Sequence, residues 1–156
     1  MRTVIFVSCL ILANAATAFA DTTVAFLGPA GWSHNPPPAT VDPARTIEEW
    51  HIAGDIATVT YIKDTTTSYD DALAAIKKNI ATNGIKTSAD KDMPCHGVTG
   101  HVVEFAFGPD GHRVITNRLL VPSGTGVDTI TYARSDGSTF DSDVKKAEDT
   151  YCGAAT

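Results

Sequence analysis

Two segments of the chain carry apolar residues at helical spacing. In residues 68–84, SYDDALAAIKKNIATNG, the apolar side chains recur at Leu73, Ile76 and Ile80 along one face of a helix with a period of 3.6 residues. Ser68 is a residue type that caps helix N-termini, and Gly84 ends the pattern. The pattern predicts an amphipathic helix whose apolar face packs on a sheet.

The second helical pattern lies near the end of the chain, in the segment FDSDVKKAEDTYCG. Asp141 can cap this helix, and Gly153 can end it. Its apolar stripe consists of Phe140, Val144, Ala147 and Tyr151. We therefore predict a C-terminal helix that also buries one face.

Six segments rich in β-branched and aromatic residues predict strands. They read VAFLG (residues 24–28), IEEWHIAG, DIATVTYIKD, HVVEFAF, HRVITNRLLVPSG and VDTITYARSDGS. Gly54 and Asp55 separate the second segment from the third, and residues 108–111 form a Gly-Pro-Asp-Gly turn signal between the fourth and the fifth. Both pairs are therefore expected to form hairpins, whereas PAGWSHNPPPATVDPAR, with its five prolines, predicts a loop.

The hairpin that follows residue 100 has apolar residues on both of its faces. If Pro109 and Asp110 form the turn, Phe107 lies opposite His112, and Val103, Phe105, Phe107 and Val114 share one face, while Ile115, Leu119 and Val121 share the other. A sheet that is apolar on both sides must be covered on both sides. The expected fold is α+β: an α/β/α sandwich with an antiparallel sheet of about six strands and helices on both faces.

The first twenty residues have the order of a secretory signal peptide. Arg2 precedes an apolar run, and small residues then lead to the A-x-A motif Ala18-Phe19-Ala20. Cleavage is expected between Ala20 and Asp21. Asn14 and Thr17 interrupt the run well before the roughly 20 apolar residues that span a bilayer. The expected organisation is a signal peptide at 1–20 and one domain at 21–156, secreted or periplasmic, with no integral membrane segment after processing.

The charge of the mature domain excludes some classes of partner. Loss of Arg2 with the signal peptide leaves 11 Lys and Arg against 18 Asp and Glu, a net charge of −7 with His neutral. Nucleic acids and anionic membrane surfaces are recognised by clustered cations. We therefore expect neither as a partner.

Two cysteines, Cys95 and Cys152, remain after Cys9 leaves with the signal peptide. Exported proteins meet oxidising compartments, where two cysteines can pair with none left over. Zinc bound through Cys95, His96 and His101 is an alternative, as is a cysteine nucleophile, but C-H-x4-H matches no compact zinc signature. The favoured interpretation is a disulfide that closes a loop of 57 positions.

The sequence carries no recognisable catalytic, metal or cofactor motif among those with a known mechanism, such as G-x-S-x-G, H-E-x-x-H or the P-loop glycines. Ser33 stands beside His34, but adjacent residues seldom orient as a nucleophile and its base. We expect no enzyme, no cofactor and no metal. Trp32 and Trp50 are interpreted as core or core-edge aromatics, with Trp32 and His34 as the candidate contact with a partner.

The order of elements resembles that of the PsbP-like domains. The resemblance rests on Gly31-Trp32, the strand with Trp50, the helix SYDDALAAIKKN, the entry from Gly97 to Gly100 into HVVEFAF, the strand TITYAR and the helix FDSDVKKAED. The family includes the extrinsic photosystem II subunit PsbP and bacterial extracytoplasmic relatives of the LpqN and DcrB type. The resemblance implies an α/β/α sandwich in an exported, non-enzymatic protein, and it brings no shared catalytic residues.

Two functional hypotheses follow. The first is an exported, disulfide-stabilised, non-catalytic accessory or protein-interaction domain. The alternative is an extracytoplasmic binder of a small apolar molecule or lipid, with a cleft between the sheet and the loop of residues 32–45. A deep apolar pocket with convergent polar groups favours the binder, and a flat patch rimmed by aromatic residues favours the interaction domain.

We predict that the exported protein begins at Asp21, because signal peptidase cleaves after the small residues of an A-x-A site. N-terminal sequencing of secreted material checks the position. Exported protein that retains Met1, or that carries a lipid on Cys9, contradicts it.

Overall fold

The computed structural model describes residues 25–35, 42–52, 54, 56–109, 112–135 and 140–153. The expected signal peptide and its cleavage site at Ala20 and Asp21 lie outside these residues. The described elements are β1 (Ser33–Asn35), β2 (Arg45–His51), β3 (Ala57–Asp64), α1 (Tyr69–Thr82), β4 (Thr87–Cys95), β5 (Val98–Phe107), β6 (Val114–Ser123), β7 (Gly126–Arg134) and α2 (Ser142–Tyr151). The seven strands form one antiparallel sheet in the order β1-β2-β3-β7-β6-β5-β4. The α+β class is therefore confirmed, with seven strands described where about six were expected.

The first helix begins and ends where its capping residues predict. The Ser68 hydroxyl accepts a hydrogen bond from the Asp71 backbone N–H at 3.1 Å and donates one to the Asp71 carboxylate at 2.7 Å. Asp70 and Asp71 lie in the first turn, where their charges meet the positive end of the helix dipole. At the other end, Gly84 takes a φ of 61°, a left-handed conformation that ends helices at little cost for glycine.

The second helix also begins at its predicted cap. Asp141 accepts a hydrogen bond from the Asp143 N–H at 2.8 Å. Val144 and Tyr151 are buried, seven positions and about two turns apart. The helix ends at Cys152, whose N–H donates to the Glu148 carbonyl at 2.9 Å.

The two edge strands were missed by the hydrophobic pattern. β4, TSADKDMPC, has mostly exposed residues and, among the described strands, pairs with β5 alone. An edge strand need not be apolar, and it tolerates Pro94 because one of its sides has no partner strand. β1 is fully exposed and pairs with β2. The strand expected at residues 24–28 was wrong for its described part, since residues 25–28 have no regular structure.

The β5–β6 hairpin forms with a longer turn than expected. Phe107 pairs with Val114, and Phe105 pairs with Thr116, so the register differs by two residues from the predicted one. The His112 N–H donates to the Pro109 carbonyl at 3.0 Å within the turn. A shift of two residues leaves every side chain on its predicted face, because the side-chain period of a strand is two.

The buried apolar residues form two clusters. Val144 and Tyr151 of α2 pack in the larger one with Val102, Leu119 and residues of β2, β3 and β7. The smaller cluster joins Ile80 of α1 to Val103 and Phe105. Since neighbouring residues of a strand point to opposite faces, we infer from Val102 and Val103 that the two clusters lie on opposite sides of the sheet.

A disulfide joins the last turn of α2 to the edge of the sheet. The sulfurs of Cys95 and Cys152 are bonded, their Cα atoms lie 4.2 Å apart, and both residues are buried in the larger cluster. The His96 N–H donates to the Cys152 carbonyl at 3.2 Å beside the bridge. The cysteine pairing expected from the sequence is present in the structure, and Cys95 is therefore not a free thiolate for zinc or catalysis.

Replacing both cysteines by serine should lower the free energy of unfolding by roughly 4 kcal/mol, the loop-closure value for a loop of this size. Thermal denaturation of the wild-type domain with and without reductant, and of the C95S/C152S variant, measures the difference. The reductant should act on the wild type and have no effect on the variant. Equal melting temperatures for oxidised and reduced wild-type protein contradict a stabilising role for the bridge.

Candidate functional site

The residues expected to meet a partner lie at one edge of the sheet. His34 of β1 stacks on Trp50, with ring centroids 4.8 Å apart and planes at 17°, and its Nε2 lies 3.4 Å from Glu48 Oε2. Trp50 is buried, whereas Trp32 is half-buried against Tyr132. Both tryptophans are core or core-edge residues, as predicted. A role of Trp32 and His34 in partner binding stays a prediction.

The structure does not bring Ser33 and His34 together as a nucleophile and its base. The two are neighbours in a strand and therefore point to opposite faces. The His34 ring lies on Trp50 instead. The absence of enzymatic activity stays a prediction.

A cavity of about 470 Å³ opens between α1 and the strands β5 and β6. We call it the apolar cavity, because Ile76, Ile80, Ile85, Phe105 and Phe107 provide most of its wall, together with Asn79, Asn83 and Arg118. Phe107 is 45% exposed, which is unusual for a large aromatic side chain. The volume of the apolar cavity is within the range of small-molecule sites, about 300 to 1,000 Å³.

A second cavity, of about 340 Å³, lies on the other side of Ile76. We call it the hydroxyl-lined cavity, because Thr67, Thr129 and Thr131 line it, and its wall also contains Arg45, Ile62, Asp64, Ala72, Val127, Ile76 and Arg118. Ile76 and Arg118 therefore belong to the walls of both cavities. Together the two cavities form the α1 cleft.

Among the described residues, Arg118 is the only cation in the wall of the apolar cavity. It lies in the middle of β6, where it pairs with Val103 of β5 and Thr131 of β7. Its Nε is buried without a hydrogen-bond partner, and no ion pair of the described residues includes it. Burial lowers the pKa of the guanidinium, which stays charged at neutral pH because that pKa begins above 12.

The carboxylate of the cleft, Asp64, is committed elsewhere. Its Oδ1 accepts hydrogen bonds from the Thr66 N–H at 2.8 Å, the Thr66 hydroxyl at 2.8 Å and the Thr67 N–H at 2.9 Å, and its Oδ2 accepts one from the Thr67 hydroxyl at 2.9 Å. These bonds, led by the Thr66 N–H, hold the pKa of Asp64 far below its ordinary value. Asp64 thus orders the loop between β3 and α1, and the ion pairs among the described residues do not join it to Arg118.

A charged cluster anchors α1 to the edge strand β4. The His101 ring is buried, with Nδ1 2.7 Å from Asp92 Oδ1 and Nε2 2.6 Å from Asp90 Oδ1. Lys77 of α1 lies 3.1 Å from the same Asp90 oxygen. Hydrogen bonds from Lys77 and then His101 lower the pKa of Asp90. The cluster thus ties α1 to β4 through Lys77 and Asp90, and both ring nitrogens of His101 contact carboxylates.

Within the described ranges, no group of three or more His, Cys, Asp or Glu side chains could hold a metal ion. His96 does not join His101 at a common site. Its ring lies edge-on to Tyr151, with centroids 5.0 Å apart. The prediction that the domain binds no metal or cofactor remains untested.

The face beneath α2 carries buried polar groups of its own. Asp128 is 1% exposed and accepts hydrogen bonds from the hydroxyls of Tyr61 at 3.0 Å and Tyr151 at 2.7 Å. Burial, followed by the charge of Asp128, raises the pKa of both tyrosines. These hydroxyls are therefore structural donors that satisfy one carboxylate oxygen.

Glu148 is the second buried carboxyl beneath α2. It is 5% exposed, its Oε1 has no hydrogen-bond partner in the described part of the chain, and burial raises its pKa to about 8. The charges of Asp149 and Glu104 act in the same direction, and Lys145 opposes them. Glu148 is thus mainly protonated in the neutral folded protein.

Sequence reasoning missed Arg118 and the α1 cleft. The available signal was one arginine within VITNRLLVPS, a strand that is otherwise largely apolar. A cation in a buried strand needs a partner or a function. The predicted cleft against the loop of residues 32–45 cannot be traced through residues 36–41, which lie outside the described part, but Arg45 at the end of that loop does line the hydroxyl-lined cavity.

Comparisons with known proteins leave the chain without a family. No family model matches it. No curated protein is significantly similar to it either. A crystal structure of PA94 from Pseudomonas aeruginosa, a protein of unknown function, aligns over 76% of this chain and 83% of its own at 17% identity, with a TM-score of 0.48. That likeness is too distant to support an argument, and the resemblance to the PsbP-like domains stays a prediction.

Among the described elements, no helix has the length and apolar character needed to cross a membrane.

The raised pKa of Glu148 predicts that the domain loses stability as the pH rises from about 4.5 to about 8. In this window the folded carboxyl keeps its proton while the unfolded one has released it, so each pH unit costs about 1.4 kcal/mol at most. The E148Q variant lacks this contribution, and its free energy of unfolding should vary less with pH. The half-buried Glu49 offers a control, E49Q, that should follow the wild type in urea denaturation across the window. Parallel pH profiles for the wild type and E148Q contradict the assignment.

Proposed function

We propose that this protein is an exported, disulfide-stabilised, non-catalytic domain that binds a small amphipathic anion in the α1 cleft. The observation that carries the proposal is Arg118, a half-buried and unpaired cation in the shared wall of two cavities. Between the two hypotheses derived from the sequence, an apolar cavity with a polar anchor supports the small-molecule or lipid binder.

The electrostatics of the cleft support an anionic ligand. Burying a charge without a partner is costly, and the ion pairs among the described residues do not join Arg118 to Asp64, the carboxylate of the cleft. The guanidinium presents its donors in a fork that matches carboxylate and phosphate groups. An incoming anion would supply the missing partner.

The walls of the apolar cavity support a ligand with a hydrocarbon part. Three isoleucines and two phenylalanines surround the approach to Arg118. Each buried methylene of a ligand contributes about 0.8 kcal/mol. The hydrocarbon chain of the ligand would therefore provide most of the affinity, and its ionic contact with Arg118 would fix its orientation.

The extracytoplasmic location is part of the proposal. It is supported by the Cys95–Cys152 disulfide, a bond that persists mainly in oxidising compartments, and by the signal-like order of residues 1–20. A partner surface at Trp32 and His34 remains compatible with ligand binding, because it lies at the β1 edge of the sheet, away from α1.

Laurate below its micelle-forming concentration is the first probe of the cleft. Isothermal titration calorimetry should show binding to the wild type, weakened about 30-fold by R118M, since losing one partner of a buried charge pair costs 2 kcal/mol or more. R113M, at the exposed Arg113 beside the same strand, is the matched control and should bind as the wild type does.

A stability measurement separates function from folding. Methionine keeps much of the arginine stem but removes the unpaired charge, so R118M should melt at the same temperature as the wild type or higher. A wild type that binds no laurate, or an R118M variant that binds it equally well, overturns the proposed function.

A further inference from the structure

The position of Arg118 at the junction of two cavities carries information about the ligand, given the proposed function on which this step rests. A ligand whose anionic group ends the molecule, such as a fatty acid, fills the apolar cavity and stops at Arg118. The hydroxyl-lined cavity of about 340 Å³ would then hold only water. A ligand that uses both cavities has its anionic group in the middle.

The hydroxyl-lined cavity differs in chemistry from the apolar one. Thr129 and Thr131 project neighbouring hydroxyls from β7, because residues two apart share a face of the sheet. Such hydroxyls can donate or accept hydrogen bonds. The threonines therefore allow this cavity to hydrogen-bond a polar head, beside the apolar side chains of Ile62, Ala72, Ile76 and Val127.

The charges of the same cavity restrict that head further. Arg45 and Arg118 line it together with one carboxylate, Asp64, whose oxygens are already hydrogen-bonded. The ion pairs among the described residues do not include Arg45. The balance is positive, so a cationic head is disfavoured and a hydroxylated or anionic head is favoured.

Arg45 and Arg118 address different parts of the ligand. Arg45 lies on β2 and Arg118 on β6, and two strands separate β2 from β6 in the sheet. Three strand spacings of about 4.8 Å separate the two strands by about 14 Å, and Arg45 is in register with Pro122, four residues from Arg118, so their Cα atoms lie about 20 Å apart. A single compact anion held on Arg118 therefore leaves Arg45 for the far end of the head.

We propose that the α1 cleft binds a single-chain phosphodiester amphiphile with a hydroxylated, non-cationic head. Its chain lies in the apolar cavity against Ile80 and Phe105, its phosphodiester lies on Arg118, and its head lies against Thr129, Thr131 and Arg45. No covalent step is involved, and the protein acts as a carrier or sensor of the intact molecule.

Two lysolipids with the same chain and the same phosphodiester test the head-group preference. Lauroyl-lysophosphatidylglycerol carries a hydroxylated head, and lauroyl-lysophosphatidylcholine carries a quaternary ammonium. Titration calorimetry below the micelle-forming concentration should show the glycerol compound binding at least about tenfold more tightly than the choline compound and than laurate, a difference of about 1.4 kcal/mol.

Variants of Arg45 and Arg118 test which part of the ligand each side chain contacts. R45Q should reduce the preference between the two lysolipids to less than about threefold and leave laurate binding unchanged, whereas R118M should weaken all three probes. R113Q, at an exposed arginine outside the cleft, should change none of the three affinities. Backbone amide shifts in NMR spectra should move at Thr129 and Thr131 with the glycerol compound and not with laurate.

The outcomes distinguish this inference from the proposed function. Laurate binding that depends on Arg118, with equal affinities for both lysolipids or no effect of R45Q, overturns the two-cavity ligand and leaves the anion-binding function intact. If none of the three probes binds the wild type, both are overturned.

Discussion

The alternation of side chains along β6 is the constraint on which the cleft depends. Leu119 and Val121 belong to the larger cluster, which α2 covers. Arg118 directly precedes Leu119 on β6, so its side chain points to the other face, toward α1. Pairing with β5 on one side and β7 on the other holds this orientation. A slip of one residue would turn the guanidinium toward the larger cluster and away from both cavities that Arg118 now lines. The fold therefore holds the charge in the cleft.

Holding the charge of Arg118 in the cleft lowers the stability of the folded protein. A well-packed apolar residue at position 118 would remove the desolvation cost of an unpaired guanidinium, as buried ion pairs replaced by hydrophobic residues commonly show. Glu148 adds a second unfavourable burial on the opposite face. The disulfide and the tether of Lys77, Asp90, His101 and Asp92 act in the other direction, because they close a long loop and fix α1 to the sheet edge. Natural proteins accept such local costs mainly at functional sites.

The sequence predicts the parts of this fold that depend on local signals. Ser68 and Asp141 mark the helix starts because capping is a contact within one turn, and the faces of β5 and β6 follow from a period of two even though the turn is longer than predicted. Cys95 and Cys152, the two cysteines beyond the signal-like segment of residues 1–20, suffice to predict their pairing. The polar edge strand β4 carries no comparable signal, since its hydrogen bonds to β5 form without burial of its side chains. Residues 25–28 show the opposite error, because their apolar pattern predicts a strand that is not formed. Phe26 is buried against Trp50 without joining the sheet.

The candidate site could not be predicted because none of its properties belongs to one segment. Ile76 and Ile80 look like ordinary core positions of an amphipathic helix, and only the placement of α1 leaves space beside them. The two helices are attached in different ways: α2 is bonded covalently to β4, whereas α1 is held by the loop that Asp64 orders, by the ionic contact of Lys77 and by the packing of Ile80. Ionic and hydrogen-bonded contacts permit small local movements that a covalent bond resists, and ligand-binding elements are drawn from the less stable parts of a structure. The proposed site accordingly lies under α1, the helix that is attached to the sheet without a covalent bond.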